Sequence, residues 1–303
     1  MRVLAVIPAR FGSTRLPGKA LIPVLGGEPM IVHVVRAALA ARTVNQVLVA
    51  TDHEEIAKAV EGVGAHAVMT DSGLPTGTDR VAAAMRLTGA SANVVVNVQG
   101  DEPLIEPSAI DLAAQLLLTH DAADIATLSS PIAHRDLLDP NKVKVVCGAT
   151  LERSDGDFNQ GDSLAVGSRR ALFFSRAPIG VDRTTLSDLL ASGASREDDT
   201  RTDGQGEADS GRHLASYHSH AARLHVGLYA FRPPALQRFV SLPPSPLEAV
   251  EQLEQMRALE AGMTIAVGEV SHSARGVDTE DDLRWLESRW RLEQQRLSRQ
   301  GRR

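Results

Sequence analysis

Hydrophobic and polar positions along this chain follow two periods that take turns. Residues 3–7, Val-Leu-Ala-Val-Ile, are a continuous apolar run closed by Pro8 and Arg10, the pattern of a strand buried on both faces. After a loop shaped by proline, glycine, serine and arginine, residues 30–41 repeat apolar side chains at helical spacing. The alternation recurs: strand-like 46–50 precedes helix-like 54–60, 65–69 precedes 79–87, and 93–98 precedes 108–119. Strands alternating with helices imply crossover connections and a mainly parallel, Rossmann-like α/β sheet with helices on both faces. In such a sheet ligands sit beyond the carboxyl ends of the strands. The loops after Ile7, Ala50, Met69 and Val98 are therefore the places to look for chemistry.

Beyond Asp124 the pattern becomes mixed. Residues 125–130, 143–147, 171–175 and 225–231 read as strands, 246–261 and 279–296 as helices, which predicts some antiparallel pairing in this half. Two stretches, 151–167 and 183–219, are rich in Gly, Ser, Asp and Arg without apolar periodicity and read as mobile surface insertions. Within the second, 195–209 reads as a solvated loop, with a partner-binding segment as the alternative. The sequence thus suggests one domain over 1–296, with halves at about 1–124 and 125–296, and a basic tail over 297–303.

Composition narrows the classes. The chain has 303 residues, 43% hydrophobic and 23% charged, which suits an ordinary globular domain. Its one cysteine, Cys147, excludes an internal disulfide and suits the cytoplasm. A net charge of -6 with 3% aromatic residues argues against nucleic acid as a partner. No apolar run approaches the length of a membrane span, and the first strand is too short for a signal peptide.

Three segments carry chemistry. Pro8-Ala-Arg-Phe-Gly-Ser-Thr-Arg-Leu-Pro-Gly-Lys19 follows the first strand with three cations, two glycines and two hydroxyls, the makings of a phosphate cradle. It is not a Walker loop, because Ala20 follows Lys19. Val94-Val-Val-Asn-Val-Gln-Gly-Asp-Glu-Pro103 delivers Asp101 to a strand end facing that cradle, where a carboxylate can hold Mg²⁺ alongside phosphate oxygens. Gly276-Val-Asp-Thr279 precedes the last helix. Its local reading is an N-cap with acidic first-turn residues, and its alternative is a second metal carboxylate. Around them lie Thr76-Gly-Thr-Asp-Arg80, Phe174-Ser-Arg-Ala177, His225-Val-Gly-Leu-Tyr229 and Ser245-Pro-Leu-Glu-Ala-Val-Glu251. Taken locally, Glu248 and Glu251 sit on a solvated helix flank and His225 is equally a structural histidine.

In this order, and together with Val49-Ala-Thr-Asp52, these blocks closely resemble the 3-deoxy-manno-octulosonate cytidylyltransferases, from about Arg2 to Leu286. The resemblance implies a fold of the nucleotide-diphosphosugar transferase type with a smaller mixed α/β dimerisation subregion. It implies transfer of CMP from CTP to the anomeric hydroxyl of 3-deoxy-D-manno-octulosonate (Kdo) for lipopolysaccharide biosynthesis, by a cytoplasmic homodimer using Mg²⁺. By matching position, Arg10, Ser13, Arg15 and Lys19 would hold the triphosphate, with Thr76 and Arg80 around the nucleotide and sugar. Asp101 and Asp278 would be the Mg²⁺ ligands, with Lys19 beside them in the catalytic set. Gln99, Arg176, His225, Tyr229, Glu248 and Glu251 would recognise the sugar acid, Arg176 through its carboxylate. Thr76 stands where the family usually has Ser. Gly180 stands where proline is common, which predicts a looser turn. The alternatives are another acceptor, an amino-modified octulosonate or a nonulosonic acid, and a catalytically silent binding protein of the same fold.

Overall fold

The computed structural model describes residues 1–13, 15–152, 168–191, 221–272 and 274–300, with backbone alone for 293–300. Most of both expected insertions, 153–167 and 192–219, lies outside the described residues, as does the end of the basic tail. One nine-stranded sheet, in the order β5-β4-β1-β6-β10-β7-β11-β9-β8, carries the molecule. Its first four strands are β1 (Val3–Ala9), β4 (Gln46–Thr51), β5 (His66–Met69) and β6 (Val94–Asn97), all parallel. The other five are β7 (Ile125–Ser130), β8 (Lys144–Thr150), β9 (Arg169–Ser175), β10 (Arg223–Phe231) and β11 (Ile265–Glu269). Here β10 runs antiparallel to β6 and β7, and β9 antiparallel to β8 and β11, while β7 and β11 are parallel. The α/β reading with a mixed second half agrees with this sheet.

Side chains of β1 alternate between two cores. Val3, Ala5 and Ile7 face α1 (Met30–Ala40), α2 (Glu54–Glu61) and α4 (Pro107–Thr119), whereas Leu4 and Val6 face α3 (Gly77–Thr88) and α6 (Pro233–Ser241). Each such Val, Leu or Ile contributes about 1.5–3 kcal/mol by leaving water, so the strand that launches the 8–19 loop is among the most firmly held. Chain reversal falls between β1 and β6: the sheet grows from β1 to β4 and β5 on one side, and β6 lies on its other side. That is the switch point where α/β sheets open a crevice.

Several elements escaped the sequence pattern. A small hairpin of β2 (Pro23–Val24) and β3 (Glu28–Pro29) follows the 8–19 loop, and α6 and β11 were not expected. Residues 183–191 are a helix, α5, rather than an unpatterned insertion. The expected helix over 246–261 is two, α7 (Pro246–Glu251) and α8 (Gln255–Glu260), because Gln252 takes a left-handed φ of 54°. The last helix, α9 (Glu280–Gln300), runs into the expected tail. Its Leu286 shares a small core with Leu16, Val24, Met30 and Val277, so α9 braces the 8–19 loop and the Asp278 loop together. Gly180 does not loosen its turn: at φ 62° a proline cannot fit, and a Cβ there would come within 2.7 Å of Val146.

Candidate active site at the sheet switch point

Two loops meet where β1 and β6 end. Gly100 makes the meeting possible, since a Cβ on it would fall 2.8 Å from the Pro8 carbonyl. The next residue, Asp101, turns its carboxylate to Lys19, 2.7 Å from Nζ, and its backbone carbonyl accepts the Val277 N–H at 2.8 Å. That backbone bond brings the Gly276–Thr279 segment alongside. Asp278 then reaches the same ammonium at 2.9 Å and the Arg15 guanidinium at 3.0 Å. Residues 82 and 259 positions from Lys19 in sequence thus converge on one nitrogen.

Whether Asp278 caps the last helix or serves the site is settled by division of labour. Thr279 is the cap: its hydroxyl accepts the Asp282 N–H at 3.2 Å, and Asp282 Oδ2 accepts the backbone N–H groups of Asp278 and Thr279 at 3.0 Å each. Asp278 is left with its carboxylate turned to Lys19. Burial alone would depress the Lys19 ammonium, but Asp101 and Asp278 outweigh it and hold its pKa above the usual lysine value. The two carboxylates therefore already share a cation. Among the described residues no group of three or more His, Cys, Asp or Glu is arranged to hold a metal. A pair of carboxylates opposite a phosphate cradle is what Mg²⁺ takes when phosphate oxygens supply the rest of its shell, so the residues present fit that ion.

The cradle itself is ordered by its own backbone. The Phe11 carbonyl accepts the N–H groups of Ser13 and Gly18, and Ser13 Oγ accepts the Leu16 N–H at 3.3 Å. Arg10 and Arg15 are exposed. Thr76 forms a capping box with Asp79 at the start of α3, so its hydroxyl is committed to the helix. Arg80 is not at the surface of the crevice: its side chain is 3% exposed, pairing with Asp52 at 3.2 Å and Thr70 at 2.6 Å.

On the far side of β6 the polar groups are buried. Glu102 lies beneath Gly227 and Gly276, its Oε1 3.8 Å from where a Gly227 Cβ would stand, and its Oε2 has no partner. Burial, with Asp101 adding to it, raises its pKa to about 8. Beside Glu102 the pairing of β10 with β7 shifts register between Val226 and Tyr229. Beside it, His225 packs between Phe174 and Tyr229, and burial lowers its pKa to about 3. Thr127 Oγ1 lies 3.0 Å from His225 Nε2 and within hydrogen-bonding distance of the Val226 and Leu228 carbonyls, either of which can take its one proton. Tyr229 is held protonated by burial and by nearby Glu254. Gln99 is half-buried in the turn before Asp101.

Three of the expected sugar-binding side chains are engaged within the protein. Arg176 donates to the carbonyls of Pro140, Glu251 and Gln252 instead of presenting an open guanidinium. The left-handed turn at Gln252 ends α7 and leaves its last carbonyls without helical partners, which Arg176 supplies. Glu251 accepts the Ser175 hydroxyl and the Arg176 N–H. Glu248 closes a capping box with Ser245 and grips Arg257 with both oxygens, so it is not on a solvated flank. Sequence reading passed over Glu254 and Gln255. Glu254 accepts the Thr78 hydroxyl at 2.7 Å, and burial raises its pKa. Gln255 Nε2 is buried without a partner, as is Asn97 Oδ1. The signal was charge and amide at the one break in the predicted helix, which periodicity alone does not mark.

The described chain matches the family model for cytidylyltransferases over residues 4–265. Relatives named 3-deoxy-manno-octulosonate cytidylyltransferase include one from Geobacter sulfurreducens, 42% identical over 93% of this chain and 97% of its own. Another, from Bdellovibrio bacteriovorus, is 39% identical over 95% and 97%. Among solved structures, a CMP:2-keto-3-deoxy-manno-octonic acid synthetase complexed with CTP is 32% identical. It covers 97% of this chain and 100% of its own, with a TM-score of 0.75. A Leptospira borgpetersenii cytidylyltransferase, 14% identical with a TM-score of 0.53, shares the fold alone. The fold, the full-length likeness and the family model agree, and the chain belongs to the cytidylyltransferase family as one of its 3-deoxy-manno-octulosonate cytidylyltransferases.

Proposed function

We propose that the protein transfers CMP from CTP to the anomeric hydroxyl of Kdo, giving CMP-Kdo and pyrophosphate for lipopolysaccharide biosynthesis. The observation that carries this is the convergence of Asp101 and Asp278 on Lys19 at the switch point, under a loop that also bears Arg10 and Arg15. The sugar hydroxyl oxygen bonds to the α-phosphorus as the bond from that phosphorus to the bridging oxygen breaks; pyrophosphate leaves with the electron pair, and the hydroxyl proton passes to water. The protein's part is to hold the two substrates in line and offset growing negative charge, with no covalent participation.

Asp101 and Asp278 would hold Mg²⁺, which when bound supplies a Lewis acid for the phosphate oxygens. Arg10, Arg15, Lys19 and the loop N–H groups hold the triphosphate, Ser13 shapes the loop, and Thr76 fixes the start of α3 beside the nucleotide. Gln99, His225, Tyr229 and the unpaired Gln255 amide orient the sugar acid. Arg176, Glu248 and Glu251 set the shape of that pocket from behind. On this reading residues 1–124 serve mainly the nucleotide, joined there by Asp278, and 125–296 mainly the sugar, joined by Gln99. A homodimer formed through the second half belongs to the same reading. No helix among the described residues is long and apolar enough to cross a membrane, in keeping with work in the cytoplasm.

The test is pyrophosphate release with CTP, Mg²⁺ and each of Kdo, 8-amino-Kdo and a nonulosonic acid. Release with Kdo above the others is expected. Release with a different acid alone would change the acceptor, and none with any acid would overturn the activity.

A further inference from the structure

We propose that Asp52 is a positioning residue for the triphosphate loop, and that Arg80 serves the reaction by holding Asp52 rather than by touching the nucleotide. This rests on the reading that residues 8–19 grip the phosphates of CTP. Asp52 follows β4 directly, with its side chain 11% exposed. One of its oxygens accepts the Phe11 N–H at 2.9 Å, and the other pairs with Arg80 at 3.2 Å. Arg80 extends from α3 and donates to Thr70 Oγ1 at 2.6 Å, while the Thr70 hydroxyl donates to the Thr51 carbonyl at 3.1 Å. The ends of β4, β5 and α3 are thereby tied beneath the loop by one buried ion pair.

Phe11 is where the loop can be held. Its carbonyl accepts the N–H groups of Ser13 and Gly18, closing the loop on itself immediately before Lys19. Its ring stacks on His53, centroids 4.0 Å apart and planes 10° from parallel, and His53 caps α2 by accepting the Glu55 N–H. A continuous path of bonds therefore runs from Thr70 through Arg80, Asp52 and Phe11 to the peptide before Lys19, whose ammonium reaches Asp101 and Asp278. An ionised carboxylate accepting a backbone N–H makes one of the stronger local hydrogen bonds, and inside a low-dielectric site it fixes geometry as well as energy. Arg80, 3% exposed and engaged at both amino groups, has no face to offer a ligand.

Steady-state kinetics on the full chain, varying CTP and sugar acid separately, test this with Asp52→Ala and Asp52→Asn. Losing a hydrogen bond to a charged acceptor should raise the CTP KM of Asp52→Ala by about tenfold or more, with the sugar KM within about twofold. Asp52→Asn keeps an acceptor for Phe11 while losing the charge opposite Arg80. It should keep the CTP KM close to the parent and lower Tm, a split that a merely structural salt bridge would not give. If Asp52→Ala fails to fold because Arg80 is left buried and unpaired, the double variant Asp52→Leu, Arg80→Met restores an apolar pair and should show the same rise for CTP alone. An unchanged CTP KM in the foldable variant, or equal rises for both substrates, overturns the proposal. Lys19→Ala separates the two levels. Its indifference to CTP would sink the reading of the loop, whereas sensitivity at Lys19 with indifference at Asp52 would sink only the role of Asp52.

Discussion

On the parallel side of the sheet, between β1 and β6, the polar groups that matter are charged, partly exposed and paired across long sequence distances, as Lys19 is with Asp101 and Asp278. On the mixed side, around β10 and α7, they are buried and either neutral, as His225 and Glu102 are, or already spent on neighbours, as Arg176 and Glu248 are. On the proposed function, the difference follows from what each side would bind. A triphosphate and its metal bring large charge, which cations and carboxylates left partly open at the crevice can meet. A sugar acid brings many hydroxyls, and directional hydrogen bonds need groups held in place and stripped of water beforehand.

If the contrast is right, Asp101→Ala should lose turnover by about three orders of magnitude or more, the scale of removing a main electrostatic contact, with far-UV circular dichroism unchanged. Pyrophosphate release at the parent's rate would place the metal elsewhere. On the mixed side the large effect should be on stability instead. Glu248→Ala leaves Arg257, 10% exposed, without its carboxylate and should cost about 3 kcal/mol in urea unfolding; a loss under about 0.5 kcal/mol would show that the pair is solvated.

Gly100→Ala sharpens the boundary between the two regions. The added methyl must move the Pro8 carbonyl, so about 2 kcal/mol of destabilisation should accompany weaker CTP binding and little change in sugar KM.

The smallest effects are in pH dependence. Glu102 is raised from 4.5 to about 8, so between those values the folded state binds more protons than the unfolded one. The stability tied to it is complete below pH 4.5 and is lost as pH rises through about 8. His225, lowered from 6.5 to about 3, acts the other way. Its share is present above pH 6.5 and is lost as pH falls through about 3. Glu102→Gln should flatten the alkaline limb of a Tm-against-pH curve and His225→Gln the acid limb. If each variant keeps the parent's limb, these groups titrate alike in the folded and unfolded states and burial does not shift them.

Much of the parallel half was legible because its signals are local. The runs at 3–7, 46–50 and 93–98 could be nothing but buried strands, and loops bearing Arg10, Lys19 and Asp101 follow from strand ends. The mixed half was less legible. The pattern over 246–261 looked like one helix because the break at Gln252 is a backbone event that apolar spacing does not record. Arg176 looked like a ligand for a carboxylate because the carbonyls it satisfies arise only once α7 has ended and folded back on β9. Thr279 and Asp278 are adjacent in sequence, and nothing in their order says which caps the helix and which faces Lys19.

The sequence by itself determined the period of each element, the strand ends at which charge would collect and the residue types able to meet a triphosphate, since these depend on neighbours a few positions apart. Only the tertiary structure decided that Asp101 and Asp278 share one ammonium, that Arg80 is sealed beneath the loop and that Arg176 is occupied. Those are outcomes of competition among partners brought together by the sheet's crossovers, and which partner wins depends on distance and burial that exist only after folding.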